Sequence, residues 1–161
     1  MPRTIPGDLD GRSQRIAVLV ARWNPAITDR LREGALAVLA AAGVTDVTVV
    51  EVPGTFELPQ AAARLAPTGA FDAIVALGCV LKGETIHDRV IADACAQGLM
   101  DVAVATRVPV TFGVVTADTQ AQAEARSDLS AAAGKGGHKG KEAAEAAVRL
   151  VYALRTLEGR S

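Results

Sequence analysis

The fold of this chain is decided by the stretch AIVALGCVLKGETIH, residues 73–87. It begins with an unbroken apolar run, which is typical of a strand buried on both faces of a sheet, so we predict a strand over 72–78. Gly78 ends that run, where we expect the backbone to need room to turn. Apolar residues at helical spacing follow from Val90 onward. The stretch therefore predicts a strand that leads through a short polar loop into a helix.

That polar loop carries Lys82, Glu84, Thr85 and His87 within six residues. Ligands bind at the carboxyl ends of strands in open α/β sheets, and the free N–H groups of a helix N-terminus attract anions. Histidine exchanges protons near neutral pH. We interpret the loop as a site for a small phosphorylated ligand, with His87 transferring protons. The alternative is that the loop is polar for solubility and His87 is an ordinary surface residue, and these residues alone leave both interpretations open.

Composition narrows the class of protein. The chain has 161 residues, half of them hydrophobic, which suits one domain with a sizeable core. A net charge of −1 offers no electrostatic reason to expect a nucleic-acid partner. The few aromatic rings are too scattered to form a stacking surface for single strands. They are Trp23, Phe56, Phe71, Phe112 and Tyr152.

Cysteine usage and hydropathy indicate the compartment. Cys79 and Cys95 form neither a disulfide framework nor a metal-binding motif, so we expect a reducing environment and no metal. Met1 to Asp10 lack the apolar segment of a signal peptide, and no apolar run approaches the roughly 20 residues of a membrane span. We therefore expect a cytoplasmic protein without a membrane partner.

The remaining pattern alternates strands and helices. Residues 1–13 are predicted to form a flexible arm, and residues 14–161 a single domain. Further strands are predicted over Arg15–Ala21, Asp46–Val52 and Val108–Val115. Five helices are expected. The first runs from Asn24-Pro25 to about Ala42, with Gly43 as its stop, the second ends near Leu65 and the third ends near Thr106. The fourth runs from a cap at Thr116 or Asp118 to about Ala132, and the fifth from Glu142 to about Leu157.

This order predicts a parallel sheet with right-handed crossovers and helices on both faces. The glycine-rich segment GKGGHKG, residues 134–140, does not match a phosphate-binding loop and is expected to separate two helices. Three polar or aromatic groups then meet at one edge of the sheet: Trp23, residues 55–57 and residues 79–87. Each has a simpler explanation, since a lone tryptophan usually packs in the core and Glu57 favours the start of a helix.

Four blocks of sequence together resemble the lumazine synthase family. They are PGTFELP at 53–59, ALGCVLKGETIH at 76–87, VPVTFGVVT at 108–116 and HKGKEAA at 138–144, in the family's order and spacing. The resemblance implies a three-layer α/β sandwich with a four-stranded parallel sheet in flavodoxin-like order. It also implies that 5-amino-6-(D-ribitylamino)uracil condenses with 3,4-dihydroxy-2-butanone 4-phosphate to 6,7-dimethyl-8-ribityllumazine. No cofactor is expected.

The resemblance also implies roles for individual residues. His87 matches the general acid and base. The residues that match the binding site of the ribitylamino-uracil are Trp23, Thr55, Phe56, Glu57, Cys79, Val80, Leu81 and Phe112. Those that match the phosphate site are Glu84, Thr85, Arg126 and Lys139. Phe112 and Arg126 match residues that a neighbouring subunit contributes in the family.

Family members form pentamers, and some close twelve pentamers into a shell. The resemblance thus implies a homo-oligomer, with Ile86, Val90 and Ala94 of the third helix on an inter-subunit surface. The segment between Arg126 and Lys139 is longer than in shell-forming relatives. We therefore expect an isolated pentamer rather than a shell.

The residues that follow His87 depart from the family pattern and keep a second hypothesis open. After His87 the family usually has an aromatic, an acid and an aromatic residue, whereas this chain has Asp88, Arg89 and Val90. Lys82 stands where arginine is common. The alternative is a relative that binds lumazine or riboflavin without making it. A receiver or flavodoxin of unrelated function fits less well, because their acidic cluster and phosphate loop have no counterpart here.

Overall fold

The computed structural model describes residues 1–160, which form an α/β fold with the predicted alternation of elements. The strands are β1 (Arg15–Ala21), β2 (Asp46–Val52), β3 (Ala73–Leu81) and β4 (Val110–Ala117). The α-helices are α1 (Pro25–Ala41), α2 (Leu58–Leu65), α3 (His87–Thr106), α4 (Gln120–Ala125) and α5 (Lys139–Leu157). Short 3₁₀ turns cover Thr55–Glu57 and Ala66–Thr68.

The four strands form one parallel sheet in the order β2-β1-β3-β4, which confirms the predicted three-layer sandwich. The two central strands are buried almost throughout because both of their faces are covered. One face packs Val18 and Val75 against Leu31 of α1 and Ala147 of α5. The opposite face has its own core, formed by Leu19, Ile74, Leu58 of α2 and Leu99 of α3.

Several predicted boundaries are wrong. β3 does not end at Gly78 but continues to Leu81, pairing with β4 along the whole extension. The fourth helix ends at Ala125 rather than near Ala132, and its cap is Thr119 instead of Thr116 or Asp118. The Thr119 hydroxyl accepts from the backbone N–H of Gln122, which closes a capping box.

The first thirteen residues contain neither helix nor strand, and parts of this segment contact the domain. Arg149 of α5 donates to the carbonyl of Gly7 at 2.9 Å, and Leu9 packs against the core. The backbone N–H of Gly11 donates to the carbonyl of Ala42 at 2.7 Å. Within residues 1–160, no helix is both long enough and apolar enough to cross a membrane.

The last helix begins at Lys139, three residues before the predicted start, because His138 caps it. The His138 ring is fully buried, and its Nδ1 accepts from the backbone N–H of Lys141 at 3.1 Å. Its Nε2 lies 3.1 Å from the carbonyl oxygen of Arg30 in α1, so Nε2 must carry the proton. A side chain at Gly34 would collide with this ring, at 2.7 Å from Nε2. The neutral histidine therefore joins α1 to the start of α5.

We expect the stability of the fold to fall as the pH drops below about 6.5. Burial, followed by the nearby charge of Lys141, lowers the pKa of His138 below its ordinary 6.5, and Asp128 opposes that shift. The unfolded chain then binds the proton first, so stability decreases between the unfolded pKa and the lower folded one, by up to about 1.4 kcal/mol per pH unit. Urea unfolding at pH 7.5, 6.5 and 5.5 measures this slope.

His138→Asn is the control, because asparagine retains a capping acceptor but does not titrate in this range. Its stability is expected to lie below that of the wild type at pH 7.5, since the smaller side chain leaves space beside Gly34. The difference in the free energy of unfolding between the two proteins should become smaller toward pH 5.5. An equal slope in both proteins would contradict the assignment of this pH dependence to His138.

Candidate active site

A cavity of about 580 Å³ lies at the carboxyl edge of the sheet, between the ends of β1 and β3 and the start of α3. We call it the sheet-edge cavity. Nine of the thirteen residues predicted for the site line it: Trp23, Thr55, Phe56, Glu57, Cys79, Val80, Leu81, Thr85 and His87. Five further residues complete the lining: Asn24, Gly54, Gly83, Asp88 and Ile91. The topology of the sheet thus brings the three predicted groups into one cavity.

The junction between β1 and α1 places an indole at the mouth of the cavity. Trp23 is 72% exposed, so it does not pack in the core as a lone tryptophan usually does. Its backbone N–H donates to the carbonyl of Pro53 at 3.2 Å, which holds the junction against the turn after β2. The indole is therefore available to stack on a planar ligand.

Asn24 has a different role from the predicted helix cap. It occupies the cap position of α1, but its φ of 59° is left-handed and its side chain caps no N–H group. Instead its Nδ2 donates to the carbonyl of Cys79 in β3 at 3.0 Å. Asparagine tolerates the left-handed region better than most residues. Asn24 therefore fixes the end of β1 relative to the end of β3.

The turn after β2 is packed closely enough to require a glycine. A Cβ at Gly54 would lie 2.9 Å from Cδ1 of Trp23 and 3.1 Å from Oε2 of Glu57. Since the backbone of Gly54 is extended, the requirement is for space and not for an unusual φ. The turn consequently brings the indole of Trp23 and the carboxylate of Glu57 to the same part of the cavity.

Gly78 also makes room, but for a side chain and not for a bend of the chain. A Cβ at this position would lie 2.6 Å from Oγ1 of Thr55. Thr55 is 5% exposed, and its Oγ1 has no hydrogen-bond partner among the residues that the structure describes. The threonine hydroxyl is thus buried beside Gly78, behind the cavity wall, with its hydrogen-bonding capacity unused.

The end of β3 forms an apolar wall. Cys79 and Val80 are buried there, and burial raises the pKa of the Cys79 thiol to about 11. Cys95, in the core on the other face of the sheet from Cys79, has its pKa raised to about 12 for the same reason. A thiol that stays protonated at neutral pH is a poor nucleophile. Both cysteines are free, and Cys79 contributes shape rather than reactivity.

His87 is the first residue of α3, and its side chain is exposed. Its backbone N–H donates to Oγ1 of Thr85 at 3.3 Å, which orders the turn before the helix. Across residues 1–160 no hydrogen bond holds the imidazole ring itself, so the ring is free to meet a ligand. A histidine placed in this way can donate or accept a proton at the cavity.

Sequence reasoning missed Asp88 as a cavity residue. It begins the inward face of α3, which continues through Ala92, Cys95 and Leu99. Its side chain lines the cavity and is 9% exposed. The helical spacing of these four positions was the signal that could have found it, because the three that follow Asp88 are buried apolar residues.

Four predicted site residues do not line the cavity of the single chain. Glu84 is exposed in the loop before α3. Phe112 lies on the edge strand opposite Ala76, five residues before the end of β4. Arg126 donates to the carbonyl of Gly136 at 2.9 Å, and Lys139 pairs with both carboxylate oxygens of Glu142 at 3.1 Å. In the part of the chain that is described, the lining contains no lysine or arginine.

The outer side of α3 carries several large exposed apolar side chains. They are Val90, Met100 and Val104, the last of them 71% exposed, with Ile86 just before the helix. Ala94 is exposed on the same helix, and Phe112 is exposed on the neighbouring edge strand. Exposed apolar side chains grouped in this way are typical of an interaction site.

Comparison with known proteins identifies the family of the chain. The family model for 6,7-dimethyl-8-ribityllumazine synthase matches residues 13–155. A protein of that name from Kineococcus radiotolerans is 51% identical over 148 residues, covering 92% of this chain and 89% of the relative. A relative of the same name from Xanthomonas oryzae pv. oryzae is 44% identical over 94% of this chain and 96% of the relative. Another from Salinibacter ruber is 43% identical over 99% of this chain and 100% of the relative. The chain therefore belongs to the 6,7-dimethyl-8-ribityllumazine synthase family.

Proposed function

We propose that this chain catalyses the condensation of 5-amino-6-(D-ribitylamino)uracil with 3,4-dihydroxy-2-butanone 4-phosphate. The product is 6,7-dimethyl-8-ribityllumazine, in the penultimate step of riboflavin biosynthesis. The observation that carries this proposal is the sheet-edge cavity of a family member, which collects nine of the residues to which the resemblance assigns a role in the site. The protein is an enzyme of the transferase type.

The cavity supports a division of roles between its residues. The exposed indole of Trp23 offers a face on which the pyrimidine ring stacks. Thr55, Phe56 and Glu57 surround the ribitylamino side, with the Glu57 carboxylate accepting from hydroxyl groups. Cys79, Val80 and Leu81 form the apolar wall. A flat ring and a polyhydroxy chain thus each meet a suitable surface.

His87 is the proposed proton carrier. The amine of the first substrate attacks the ketone of the second, and imine formation releases one water. Phosphate leaves, the resulting enol tautomerises, and ring closure releases a second water. These steps move protons without any net oxidation or reduction, and we propose that no cofactor takes part. The His87 ring, at the cavity and without a hydrogen bond to the described chain, is suited to move them.

We also propose that the working enzyme is a homopentamer whose sites lie between subunits. A phosphate is well bound by lysine or arginine, yet the described residues that line the cavity include neither. A neighbouring subunit would supply Phe112 and the guanidinium of Arg126, while Glu84, Thr85 and Lys139 complete the phosphate region. The exposed apolar side of α3 supports this arrangement as the surface that the neighbour covers. The long segment between Arg126 and Lys139 favours an isolated pentamer over a shell.

An absorbance assay tests the activity. Purified protein is mixed with both substrates, and lumazine formation is followed above the uncatalysed rate. Clear acceleration supports the enzyme. A protein that binds lumazine or riboflavin tightly but does not accelerate the reaction is instead a binding relative. The next variants would then replace the unusual residues that follow His87 with the residue types usual in the family.

Subunit mixing tests the shared site. His87→Ala and Arg126→Ala chains are each expected to be nearly inactive, since each lacks one half of every site. Unfolded together and refolded at equal amounts, they should regain activity at roughly a quarter of the sites, as random assembly predicts. No recovery would show that both residues act within one chain. Light scattering gives the assembly, and a megadalton particle would contradict the isolated pentamer.

The same proposal places the enzyme in the cytoplasm. Its thiols at Cys79 and Cys95 are free and buried, as expected of a protein made and kept in a reducing compartment.

A further inference from the structure

Asp88 carries a carboxylate that faces the sheet-edge cavity. The residue is 9% exposed, and within residues 1–160 its oxygens make no hydrogen bond and no ion pair. Those oxygens stay open to the cavity, unlike the polar atoms that are buried without a partner elsewhere in the fold. An acid that served only the N-terminal dipole of α3 would do so equally well on the outer side of the helix. The carboxylate is therefore available to a ligand in the cavity.

The surroundings of Asp88 indicate what that ligand is. Asp88 shares the sheet-edge cavity with a second carboxylate, Glu57. Among the described residues, the lining includes no lysine or arginine that could neutralise either acid. The cavity thus presents two carboxylate acceptors and no basic side chain of the same chain. Such a cavity suits a neutral ligand that carries hydroxyl or N–H donors.

We propose that Asp88 is a further substrate-binding residue, which accepts hydrogen bonds from hydroxyl or amine N–H groups of the ribitylamino-uracil. This inference rests on the function proposed above. It gives the carboxylate a second effect, because a negative charge in the cavity disfavours the phosphate-bearing substrate there. Asp88 consequently contributes to keeping the two substrates in their own parts of the site.

The test compares Asp88→Asn with the wild type in steady-state kinetics. Asparagine retains the shape of the side chain but removes the charge that strengthens the hydrogen bond. We expect KM for the ribitylamino-uracil to rise about tenfold or more, as the loss of a hydrogen bond to a charged group implies. KM for the butanone phosphate should stay the same or fall. Asp46→Asn, which removes a charge from an exposed position at the start of β2, at the opposite end of the sheet from the cavity, should change neither value.

Two further measurements separate a binding role from a structural one. Product affinity can be followed through the fluorescence of Trp23, the only tryptophan, and should weaken about tenfold in Asp88→Asn. The melting temperature of the ligand-free variant should stay close to that of the wild type, because the carboxylate makes no hydrogen bond or ion pair within the described chain. A lower melting temperature or a lost assembly would mean that the carboxylate pairs with a neighbouring subunit, which overturns the proposal.

The remaining outcomes are equally decisive. A wild-type enzyme that turns over normally, alongside an Asp88→Asn variant with unchanged KM and product affinity, would overturn the role of Asp88 and leave the proposed function intact. A wild type that neither turns over nor binds the product would overturn both. Equal increases in KM for the two substrates would also count against Asp88 as a contact of the ribitylamino-uracil alone.

Discussion

Replacing His87 with glutamine is expected to lower kcat by about 10² to 10⁴-fold, the range typical of a lost general acid or base. Glutamine can still form hydrogen bonds at the cavity, but it cannot exchange a proton near neutral pH. Imine formation, tautomerisation and ring closure each require such an exchange. Because the imidazole is exposed and makes no hydrogen bond in the described chain, the fold does not depend on it. Initial rates at saturating concentrations of both substrates measure the effect.

Arg64→Gln serves as the control for this change. Arg64 is an exposed residue of α2 and does not line the cavity. Its replacement should leave kcat within about twofold, as for most surface substitutions. Product affinity in His87→Gln should fall much less than kcat. A variant that keeps wild-type kcat would remove His87 from the mechanism.

Replacing Gly140 with alanine is expected to destabilise the fold by about 3 kcal/mol or more, at the upper end of the cost of overpacking. Gly140 is buried in the first turn of α5, where this helix crosses α1. An added Cβ would lie 2.8 Å from the carbonyl carbon of Leu31 and 2.9 Å from its Cα, and closer still to its carbonyl oxygen. All three atoms belong to the backbone of a helix, so no side-chain rotation relieves the collision.

The measurement is thermal unfolding under identical buffer and protein concentrations. A loss of this size corresponds to a decrease in melting temperature of roughly 6–12 °C for a chain of this length. Gly83→Ala is the control, since no described atom outside its chain neighbours lies within 4 Å of the added Cβ. Its stability should change by less than about 0.5 kcal/mol. If Gly140→Ala and the wild type have the same melting temperature, α1 and α5 can move apart to accommodate the added methyl group without a measurable loss of stability.

The part of the site that could be predicted follows from chain order. Trp23, residues 55–57 and residues 79–87 each come directly after a buried strand, and parallel strands end at the same edge of a sheet. Their convergence in one cavity therefore needed only the correct sequence of strands and helices. The resemblance to the family added roles for them, and for Phe112 and Arg126, which the single chain does not bring to the cavity.

The features that could not be predicted depend on partners remote in sequence. Gly78 looked like a strand end, but its lack of a side chain accommodates the Thr55 hydroxyl. Asn24 looked like a helix cap, but its amide reaches the carbonyl of Cys79, fifty-five residues later in the chain. His138 is separated from its hydrogen-bond acceptor at Arg30 by 108 positions. No local pattern around these residues records such contacts.

The sequence by itself determined the parallel sheet, the helices on its two faces, the edge where the site lies and the family to which the site belongs. These are properties of periodicity, chain order and motif spacing, which are written along the chain. Only the tertiary structure decided that Asp88 faces the cavity as an unpaired acid, that Gly140 lies against the backbone of Leu31, and that no cation of the same chain reaches the lining among the described residues. The physical reason is that burial and hydrogen bonding depend on how closely separate elements approach, and that distance is set by the packing of the whole fold.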